Sequence, residues 1–335
     1  MNAKTCQLRS VGMRRRLLAA AAAMLSMLAL PVCAQGVWPN RPLTIVSPYS
    51  AGGITDILCR TIAEVLAKRL GQPVVVENQL GAAGAIAVAR VARAAPDGYT
   101  FVMAGTPSTT LVPALNPKVG YHPLKDLEPV AYVAGLPSVL VVHPSVPAKT
   151  PKELLSYAKA NPGRLACGHL GNGGTGHLAC LEFARKAEVA VIDVGYKGAP
   201  QLNLDLLANR VNMNFSTLPP VLQYLRSGQL RAIGMASPER NQSTPDIPTL
   251  AEQGYEGLTV DAWNALYAPA GTPRAVIERM SREVLRALEL PEVRSRIEAT
   301  GAVPRLGDAA HLGRLTREEY ESWQRYIAET KFQLE

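Results

Sequence analysis

The sequence lacks the short motifs that mark several common enzyme chemistries. It contains no GxSxG nucleophile turn, no HExxH zinc motif and no GxxxxGKS/T phosphate loop. It also has no CxxC pair, which argues against a thiol redox centre or a cysteine zinc site. Catalytic triads are set by geometry and leave no fixed spacing. Because the motifs of these chemistries are absent, we expect no catalytic residues, no metal and no cofactor.

Little excess charge remains once the N-terminus is set aside. The chain has a formal net charge of +8, but residues 1–34 contain five of the basic residues and no acidic residue. The remainder has 30 basic and 27 acidic residues, scattered along the chain. Because no concentrated basic segment is left, we expect no nucleic-acid partner.

Cysteine is scarce, and its number is odd beyond the N-terminal segment. Cys59, Cys167 and Cys180 remain there, so complete internal pairing is excluded. A bridge between Cys167 and Cys180 is one interpretation. The sequence favours the other, in which the cysteines are buried as small apolar residues.

The N-terminus has the pattern of an export signal. Three arginines at 14–16 precede the apolar run LLAAAAAMLSMLAL at 17–30, and PVCAQ then offers a cleavage point after Ala34. This run is short for crossing a bilayer. RRRLL is also similar to a twin-arginine signal, and Cys33 leaves a lipoprotein alternative that Val32 fits poorly. We expect export to the periplasm after removal of residues 1–34.

Strand and helix patterns alternate along the chain. LTIVSPY at 43–49, PVVVEN at 73–78 and YTFVMAG at 99–105 are predicted to be strands separated by helices. A second series of strands and helices runs from 164 to 237, and the last 60 or so residues are predicted to be helical. Such alternation is typical of an α/β fold with parallel sheets wrapped by helices.

Two extended apolar segments, at 131–144 and 258–270, lie on either side of the second series. We interpret them as crossings between two domains. Residues 35–137 and 256–335 would form the first domain, and residues 138–255 the second. Each domain is then a doubly wound sheet flanked by helices. The two crossing strands form a hinge, with a ligand cleft between the domains.

A glycine-rich loop follows the first strand of each series. SAGGITD at 50–56 and GNGGTGH at 171–177 both lead directly into a helix. Glycine permits close approach to the backbone, and a first helical turn offers unpaired N–H groups with partial positive charge. Taken alone, each loop is better explained by a tight turn or a helix cap, and His177 by an ordinary core or surface histidine. Together, the two loops predict opposed surfaces that hold one anion.

At these residues the sequence resembles the Bug family, the substrate-binding receptors of tripartite tricarboxylate transporters. The resemblance covers nearly the whole chain after the signal and rests on segments that follow the family's order. They are WPNRPLTIVSPYSAGGITDILCR, LGQPVVVENQLGAAG, AAPDGYTFVMA, HPSVPAKTPKELLSYAKANPGRL, GNGGTGHLA, YKGAPQ, IPTLAEQG and LYAPAGTP.

The resemblance implies a two-domain periplasmic binding protein of type II-like fold that is monomeric, is not an enzyme and uses no cofactor. It implies a small organic carboxylate, such as a di- or tricarboxylate, as ligand and membrane permease subunits as partners. The alternatives are a receptor for a sensor kinase and an enzyme that processes carboxylic acids with Asp56 and His177. The ligand-binding residues carried over by position are Tyr49, Ser50, Gly53, Thr55, Asp56, Thr106, Ser108, Asn172, Thr175, His177, Ser216 and Trp263.

The sequence departs from the family's pattern around the implied ligand. Relatives commonly have GNGSTSH in the second loop, whereas this chain has Gly174 and Gly176 and so lacks two candidate hydroxyl donors. FSTLP at 215–219 lacks the acid of FDSLP, which argues against a ligand amino group, and Gly195 stands where proline is common. These departures favour a carboxylate whose far end is less polar.

Overall fold

The computed structural model describes residues 38–171, 174–256, 258 and 262–330. The predicted signal peptide at 1–34 and the predicted ligand-binding residue Asn172 lie outside these ranges. Within them, no helix combines the length and the apolar character that crossing a membrane requires.

The first sheet draws its strands from both ends of the described chain. They are β1 (Leu43–Ser47), β2 (Val74–Asn78), β3 (Thr100–Gly105), β4 (Leu127–Leu136), β10 (Ala262–Pro269) and β11 (Val303–Gly307). Their order is β11-β4-β10-β3-β1-β2. β1 pairs in parallel with β2 and β3, whereas β10 is antiparallel to β3 and β4, and β11 to β4.

The second sheet is built from the middle of the chain. Its strands are β5 (Ser138–Val142), β6 (Ala166–His169), β7 (Ile192–Gly195), β8 (Met213–Thr217) and β9 (Arg231–Met235). They lie in the order β7-β6-β8-β5-β9. β6 is parallel to β7 and β8, and β5 is antiparallel to β8 and β9. In the first sheet β10 and β11 thus run against the other four strands, and in the second sheet β5 runs against the other four.

Helices connect the strands of both sheets. They are α1 (Ile54–Leu70), α2 (Ala85–Ala92), α3 (Val112–Leu115), α4 (Pro151–Ala160), α5 (Thr175–Ala187), α6 (Ala199–Leu207), α7 (Leu222–Arg226), α8 (Arg274–Glu289), α9 (Pro291–Glu298) and α10 (Ala309–Thr330). A short 3-10 turn, Ala82–Gly84, precedes α2, and a π-helical turn, Pro107–Leu111, precedes α3. The predicted α/β class is confirmed.

Local sequence explains the best predicted elements. In α1, Leu58, Ile62 and Leu66 recur every four residues and are fully buried, and Gly71 ends the helix in the left-handed conformation at φ 70°. In β5, Val139 and Val141 face one hydrophobic cluster and the alternate residues face another. A strand buried on both faces has apolar residues throughout, which is why SVLVV shows no polar alternation.

A single residue, Pro137, separates β4 of the first sheet from β5 of the second. The chain returns to the first sheet between β9 and β10. The first sheet thus takes strands from 43–136 and 262–307, and the second from 138–235. A division into two domains at residues 137 and 255 remains a proposal.

Residues 303–307 correct the prediction that the C-terminal region is wholly helical. They form β11, which lies at the edge of the first sheet and pairs with β4. Pro304 lies within this strand. Proline cannot donate to a ladder and is tolerated in edge strands, so a short proline-bearing strand left little signal in the sequence.

Cys167 and Cys180 form a disulfide, which corrects the favoured prediction of three reduced cysteines. Their Cα atoms are 6.2 Å apart, and the bridge joins β6 to α5. Cys59 is free and buried. The error arose because sequence spacing does not report that a strand and the following helix lie side by side. The bridge encloses the second glycine loop.

We expect one titratable thiol in the denatured, unreduced mature chain and three after reduction. Closing a loop of this length stabilises a protein by about 3 kcal/mol, so reduction should lower the free energy of unfolding by about that amount. Thiol titration and denaturant unfolding, with and without reductant, measure both quantities. The control is a Cys167→Ala, Cys180→Ala double variant, whose stability reductant should leave unchanged. Three thiols before reduction would contradict the bridge.

Candidate ligand-binding site

A cavity of about 610 Å³ lies where the parallel strands of both sheets end. The residues that form its wall come from loops after β1, β2, β3, β6 and β7 and from β8 and β10. They are Pro48, Tyr49, Ser50, Gly53, Ile54, Thr55, Leu80, Gly81, Ala82, Ala83, Gly84, Gly105, Pro107, Leu136, Leu170, Gly171, Gly174, Thr175, Gly176, Tyr196, Lys197, Gly198, Ala199, Leu202, Asn203, Asn214, Phe215, Ser216, Thr217, Pro220, Ala262, Trp263 and Asn264. The carboxyl ends of parallel strands are the usual ligand position in α/β folds.

The first glycine loop turns sharply into α1. Gly52 has φ 77°, a conformation that favours glycine, and Gly53 N–H donates to Ser50 C=O at 3.1 Å. Gly53 is then the N-cap of α1, with φ −73° and ψ 165°, and its carbonyl accepts from Ile57 N–H at 3.0 Å. As a glycine, it supplies no side-chain cap.

The second glycine loop repeats this geometry at the start of α5. Gly174 N–H donates to Gly171 C=O at 3.2 Å, and Gly174 C=O accepts from Leu178 N–H at 3.0 Å. Gly174 is the N-cap, with φ −77° and ψ 160°, again without a side-chain cap. The two predicted loops therefore have matching geometry, although they belong to different sheets.

Both helices begin at the wall of the cavity. Gly53, Ile54 and Thr55 line it from α1, and Gly174, Thr175 and Gly176 line it from α5. The first N–H groups of a helix have no carbonyl partner within that helix, and each helix start carries a partial positive charge. Without a side-chain cap, these donors remain suited to a bound anion.

Asp56 braces the first loop. Its side chain is 4% exposed, and its carboxylate accepts from Gly52 N–H at 3.0 Å, Arg60 Nε at 2.9 Å and Asn78 Nδ2 at 2.9 Å. Burial alone would raise the pKa of Asp56, but these three donors outweigh it and hold the pKa below its ordinary value. Asp56 does not line the cavity, and its ligand-binding role stays a prediction.

Seven of the predicted ligand-binding residues line the cavity. They are Tyr49, Ser50, Gly53, Thr55, Thr175, Ser216 and Trp263. Thr55 is buried, and Asn264 Nδ2 donates to Thr55 Oγ1 at 3.2 Å. Thr55 Oγ1 also donates to Asn264 Oδ1 at 3.4 Å, a long bond that a closer acceptor can replace. Tyr49 Oη donates to Ala83 C=O at 3.2 Å, and burial raises the tyrosine's pKa.

Thr106 and Ser108, two of the predicted ligand-binding residues, do not line the cavity, and their ligand-binding role stays a prediction. Both are fully buried. Thr106 Oγ1 donates to Glu319 Oε1 at 3.2 Å, and Ser108 Oγ donates to Gly105 C=O at 3.4 Å. Trp263 Nε1 also donates to Glu319, at 3.0 Å. Thr106 therefore anchors α10, whereas Ser108 bonds to the backbone at the end of β3.

His177 also lies behind the wall and not on it. Its ring stacks on His169 at 4.3 Å between centroids, and its Nε2 is 3.3 Å from Asp193 Oδ2. Burial lowers the pKa of His177, and the neighbouring His169 lowers it further, against the opposing effect of Asp193. Asp56 and His177 thus do not meet in the cavity as the acid and base of an enzyme would.

Sequence reasoning missed several cavity residues. Lys197 is the single charged side chain among the described lining residues, which include no carboxylate. Residues 81–84 also line the cavity, and all four have positive φ, including Ala82 at 48° and Ala83 at 51°. Two successive alanines in the left-handed region are uncommon, and the segment QLGAAGAI gave no reason to predict this conformation. The YKG segment could have pointed to Lys197.

The second loop also has the GxGxxG spacing of dinucleotide sites after a strand, which sequence reasoning overlooked. In that motif the third glycine allows close packing of helix and strand, and an acid about 20 residues on binds a ribose. Gly176 has the packing role. Asp193, the acid at about that distance, is within 3.3 Å of both His169 and His177, so a ribose contact is not supported.

Gly176 is required by close packing against β8. A Cβ at this position would lie 2.7 Å from the carbonyl oxygen of Phe215. Gly313 in α10 is a matched helical glycine whose added Cβ would lie 3.6 Å from Pro129. A serine at position 176 therefore does not fit this backbone without movement.

We expect Gly176→Ala to lower the free energy of unfolding by about 1–3 kcal/mol, because the helix start must shift away from β8. Gly313→Ala should be neutral or stabilising by up to about 1 kcal/mol, since alanine is the better helix former. Denaturant unfolding of both variants measures the difference. Equal effects at the two positions would show that the close approach is relaxed in solution.

Asp56→Asn should lower the free energy of unfolding by about 1–3 kcal/mol at neutral pH, through weaker bonds to Gly52 and Arg60. A depressed pKa stabilises the fold above the unfolded-state pKa of about 3.9 and ceases to do so as pH falls through the lower folded-state value. The gap between variant and wild type should therefore close below about pH 4.

Denaturant unfolding across a pH series tests this expectation. Glu64→Gln is the control, because Glu64 is an exposed carboxylate on the same helix. Its effect should stay within about 0.5 kcal/mol at every pH. A gap for Asp56→Asn that persists unchanged in acid would contradict the role of the ionised carboxylate.

Comparisons with known proteins agree with this architecture. Protein BugT of Bordetella pertussis is 34% identical over 304 residues, which cover 90% of this chain and 93% of BugT. The structure of MatC from Rhodopseudomonas palustris with bound malate is 34% identical and has a TM-score of 0.81, covering 87% of this chain and 100% of MatC. An R. palustris protein solved with adipate is 31% identical with a TM-score of 0.82, covering 87% and 97%.

The chain has two sheets with a cavity at the ends of their strands, and it is similar to solved periplasmic binding proteins. It therefore belongs to the class of periplasmic binding proteins. The profile of the family described as tripartite tricarboxylate transporter family receptor (TctC) matches residues 58–332. The chain belongs to this family. It is therefore a solute-binding receptor, and the family and its structural relatives are binding proteins and not enzymes.

Proposed function

We propose that this receptor captures a small carboxylate between its two sheets and presents it to the membrane permease subunits of a tripartite tricarboxylate-type transporter. The observation that carries the proposal is the convergence of two helix N-termini, both without side-chain caps, on one cavity. Backbone donors of this kind recognise an anion without an arginine.

The charges around the cavity support an anionic ligand. Its described wall contains Lys197 and no aspartate or glutamate. Asp56, the nearest acid in the first loop by sequence, is neutralised by Arg60 at 2.9 Å. A carboxylate in the cavity therefore meets helix starts and a lysine, with no unpaired negative side chain on the described wall.

Hydroxyl and amide groups complete the proposed clamp. Thr55 accepts from Asn264 at 3.2 Å, and its hydroxyl hydrogen, which makes a long bond of 3.4 Å to Asn264 Oδ1, would turn to a carboxylate oxygen. Thr175 takes the corresponding place at the start of α5. One carboxylate would thus receive backbone N–H groups from both helices and a hydroxyl from each.

The rest of the wall suggests which carboxylate. Apolar side chains from both sheets line it, and they include Leu80, Leu136, Leu170, Leu202 and Phe215. A ligand with a hydrocarbon chain would contact these apolar side chains, with one carboxylate at the two helix starts and a second near Lys197. We therefore propose a dicarboxylate with an unbranched hydrocarbon middle. That relatives were solved with malate and adipate supports the dicarboxylate class.

The setting of this function follows from the same proposal. We infer that residues 1–34 direct export and are removed near Ala34, and that the receptor works as a monomer in the periplasm. A sensor kinase could read the same ligand-bound receptor. Uptake of labelled ligand by cells that lack the permease separates the two partners, because only transport depends on the permease.

Ligand binding is tested first by thermal unfolding of the mature protein with a panel of acids. We expect adipate, glutarate, succinate and malate to raise the unfolding temperature, since a ligand that binds only the native state stabilises it. Hexanoate has the length of adipate without the second carboxylate and should bind at least about tenfold more weakly, which corresponds to about 1.4 kcal/mol. A panel without any shift would contradict the carboxylate proposal.

The clamp itself is tested with two matched variants. Thr55→Val should weaken the tightest acid of the panel at least about tenfold by calorimetry, because a hydroxyl donor to a charged group is lost. Thr61→Val is the control. Thr61 lies on the same helix, is equally buried at 2% exposure and does not line the cavity. Equal losses in both variants, or none in Thr55→Val, would exclude the proposed contact.

A further inference from the structure

Three side chains of the types that bind metal ions in proteins lie together behind the second glycine loop. His169 ends β6, His177 lies in the first turn of α5, and Asp193 lies in β7. One ligand atom from each lies within 4.8 Å of those of the other two. None of the three lines the carboxylate cavity, so the proposed function does not account for the cluster.

We propose that His169, His177 and Asp193 bind a divalent transition cation, with Zn²⁺ as the best match. Two imidazoles and one carboxylate form a donor set that zinc accepts, and a solvent molecule can supply the fourth position. The proposal is independent of the carboxylate ligand, because it concerns different side chains.

The separations between the ligand atoms suit zinc. Asp193 Oδ2 lies 3.0 Å from His169 Nε2 and 3.3 Å from His177 Nε2. Ligands at about 2.1 Å from a tetrahedral zinc ion are about 3.4 Å from one another. Both Nε2 atoms therefore reach the same carboxylate oxygen at nearly the spacing that a shared metal requires.

Register and packing place these ligands together. In the parallel pair of β6 and β7, Cys167 lies opposite Asp193, so Asp193 faces the same side of the sheet as Cys167 and His169. Helix α5 covers that side, as the Cys167–Cys180 bridge and the stacked rings of His169 and His177 show. The disulfide and the histidine pair are thus successive contacts between one strand and one helix.

The two histidines are buried and the aspartate is exposed, a combination that fits a metal site open to solvent on one side. The side chain of His169 is fully buried and that of His177 is 7% exposed, whereas Asp193 is 38% exposed. His169 Nδ1 has no hydrogen-bond partner among the described residues, so the described polar contact of this ring is with Asp193. The two histidines are buried, and the exposed carboxylate provides the entry side for an ion.

Zinc at this position would hold the second glycine loop at both ends. His169 and His177 flank residues 170–176, of which Gly171, Gly174 and Gly176 line the cavity. The ion would act beside the disulfide between Cys167 and Cys180. The sequence contained no hint of this, because ligands at 169, 177 and 193 match no metal motif.

The test is calorimetric titration of the tag-free, chelator-treated mature chain with ZnCl₂, in buffer without carboxylates. We expect one Zn²⁺ per chain and no binding of Mg²⁺, which prefers oxygen ligands. Co²⁺ in place of zinc should give the visible absorption of a tetrahedral site. Absence of zinc binding would overturn the proposal.

Variants decide whether these residues are the ligands. Asp193→Asn and His169→Ala should each weaken Zn²⁺ binding at least about tenfold and abolish the Co²⁺ absorption. Asp193→Asn keeps its shape at an exposed position, so it remains informative if loss of the buried His169 prevents folding. His143→Ala is the control, since His143 is partly exposed, bonds to Ser145 and lies outside the cluster. Zinc binding that survives Asp193→Asn unchanged would also overturn the assignment.

Discussion

The site depends on one electrostatic constraint, which is that two helices start at the cavity wall with no side chain to cap them. Gly53 and Gly174 occupy the N-cap positions where serine, threonine, asparagine or aspartate would normally accept the first N–H groups. Those donors need an acceptor. The part of the wall that the structure describes supplies none that is charged, so the arrangement suits the bound anion that we propose.

Each glycine loop is held from behind by different chemistry. Asp56, Arg60 and Asn78 brace the first loop by hydrogen bonds, and the Cys167–Cys180 bridge encloses the second, next to the stacked rings of His169 and His177. Tyr326 of α10 also donates to Glu182 of α5, which ties the second loop's helix to the C-terminal helix. Rigid loops keep backbone donors aimed at a ligand, which reduces the entropy lost on binding.

Local patterns predicted most elements because their causes are local. The four-residue spacing of Leu58, Ile62 and Leu66 is explained by one buried helix face, and Gly71 by a left-handed helix end. Edge strand β11 escaped prediction because Pro304 argued against a strand. Thr106 and Ser108 follow β3 but do not line the cavity, because at the π-helical turn Thr106 bonds to Glu319 and Ser108 to Gly105 C=O. No sequence spacing reports such a turn.

By itself the sequence determined the α/β class, the family, and the two glycine loops that lead into α1 and α5. These depend on hydrophobic period, on glycine's conformational freedom and on motifs in a fixed order. Only the tertiary structure decided that the loops line one cavity, that Lys197 lines it with them, that Cys167 and Cys180 are bridged, and that His169, His177 and Asp193 meet. The physical reason is that strand register and helix packing bring together residues that are remote in the chain, and neither leaves a periodic signal in the sequence.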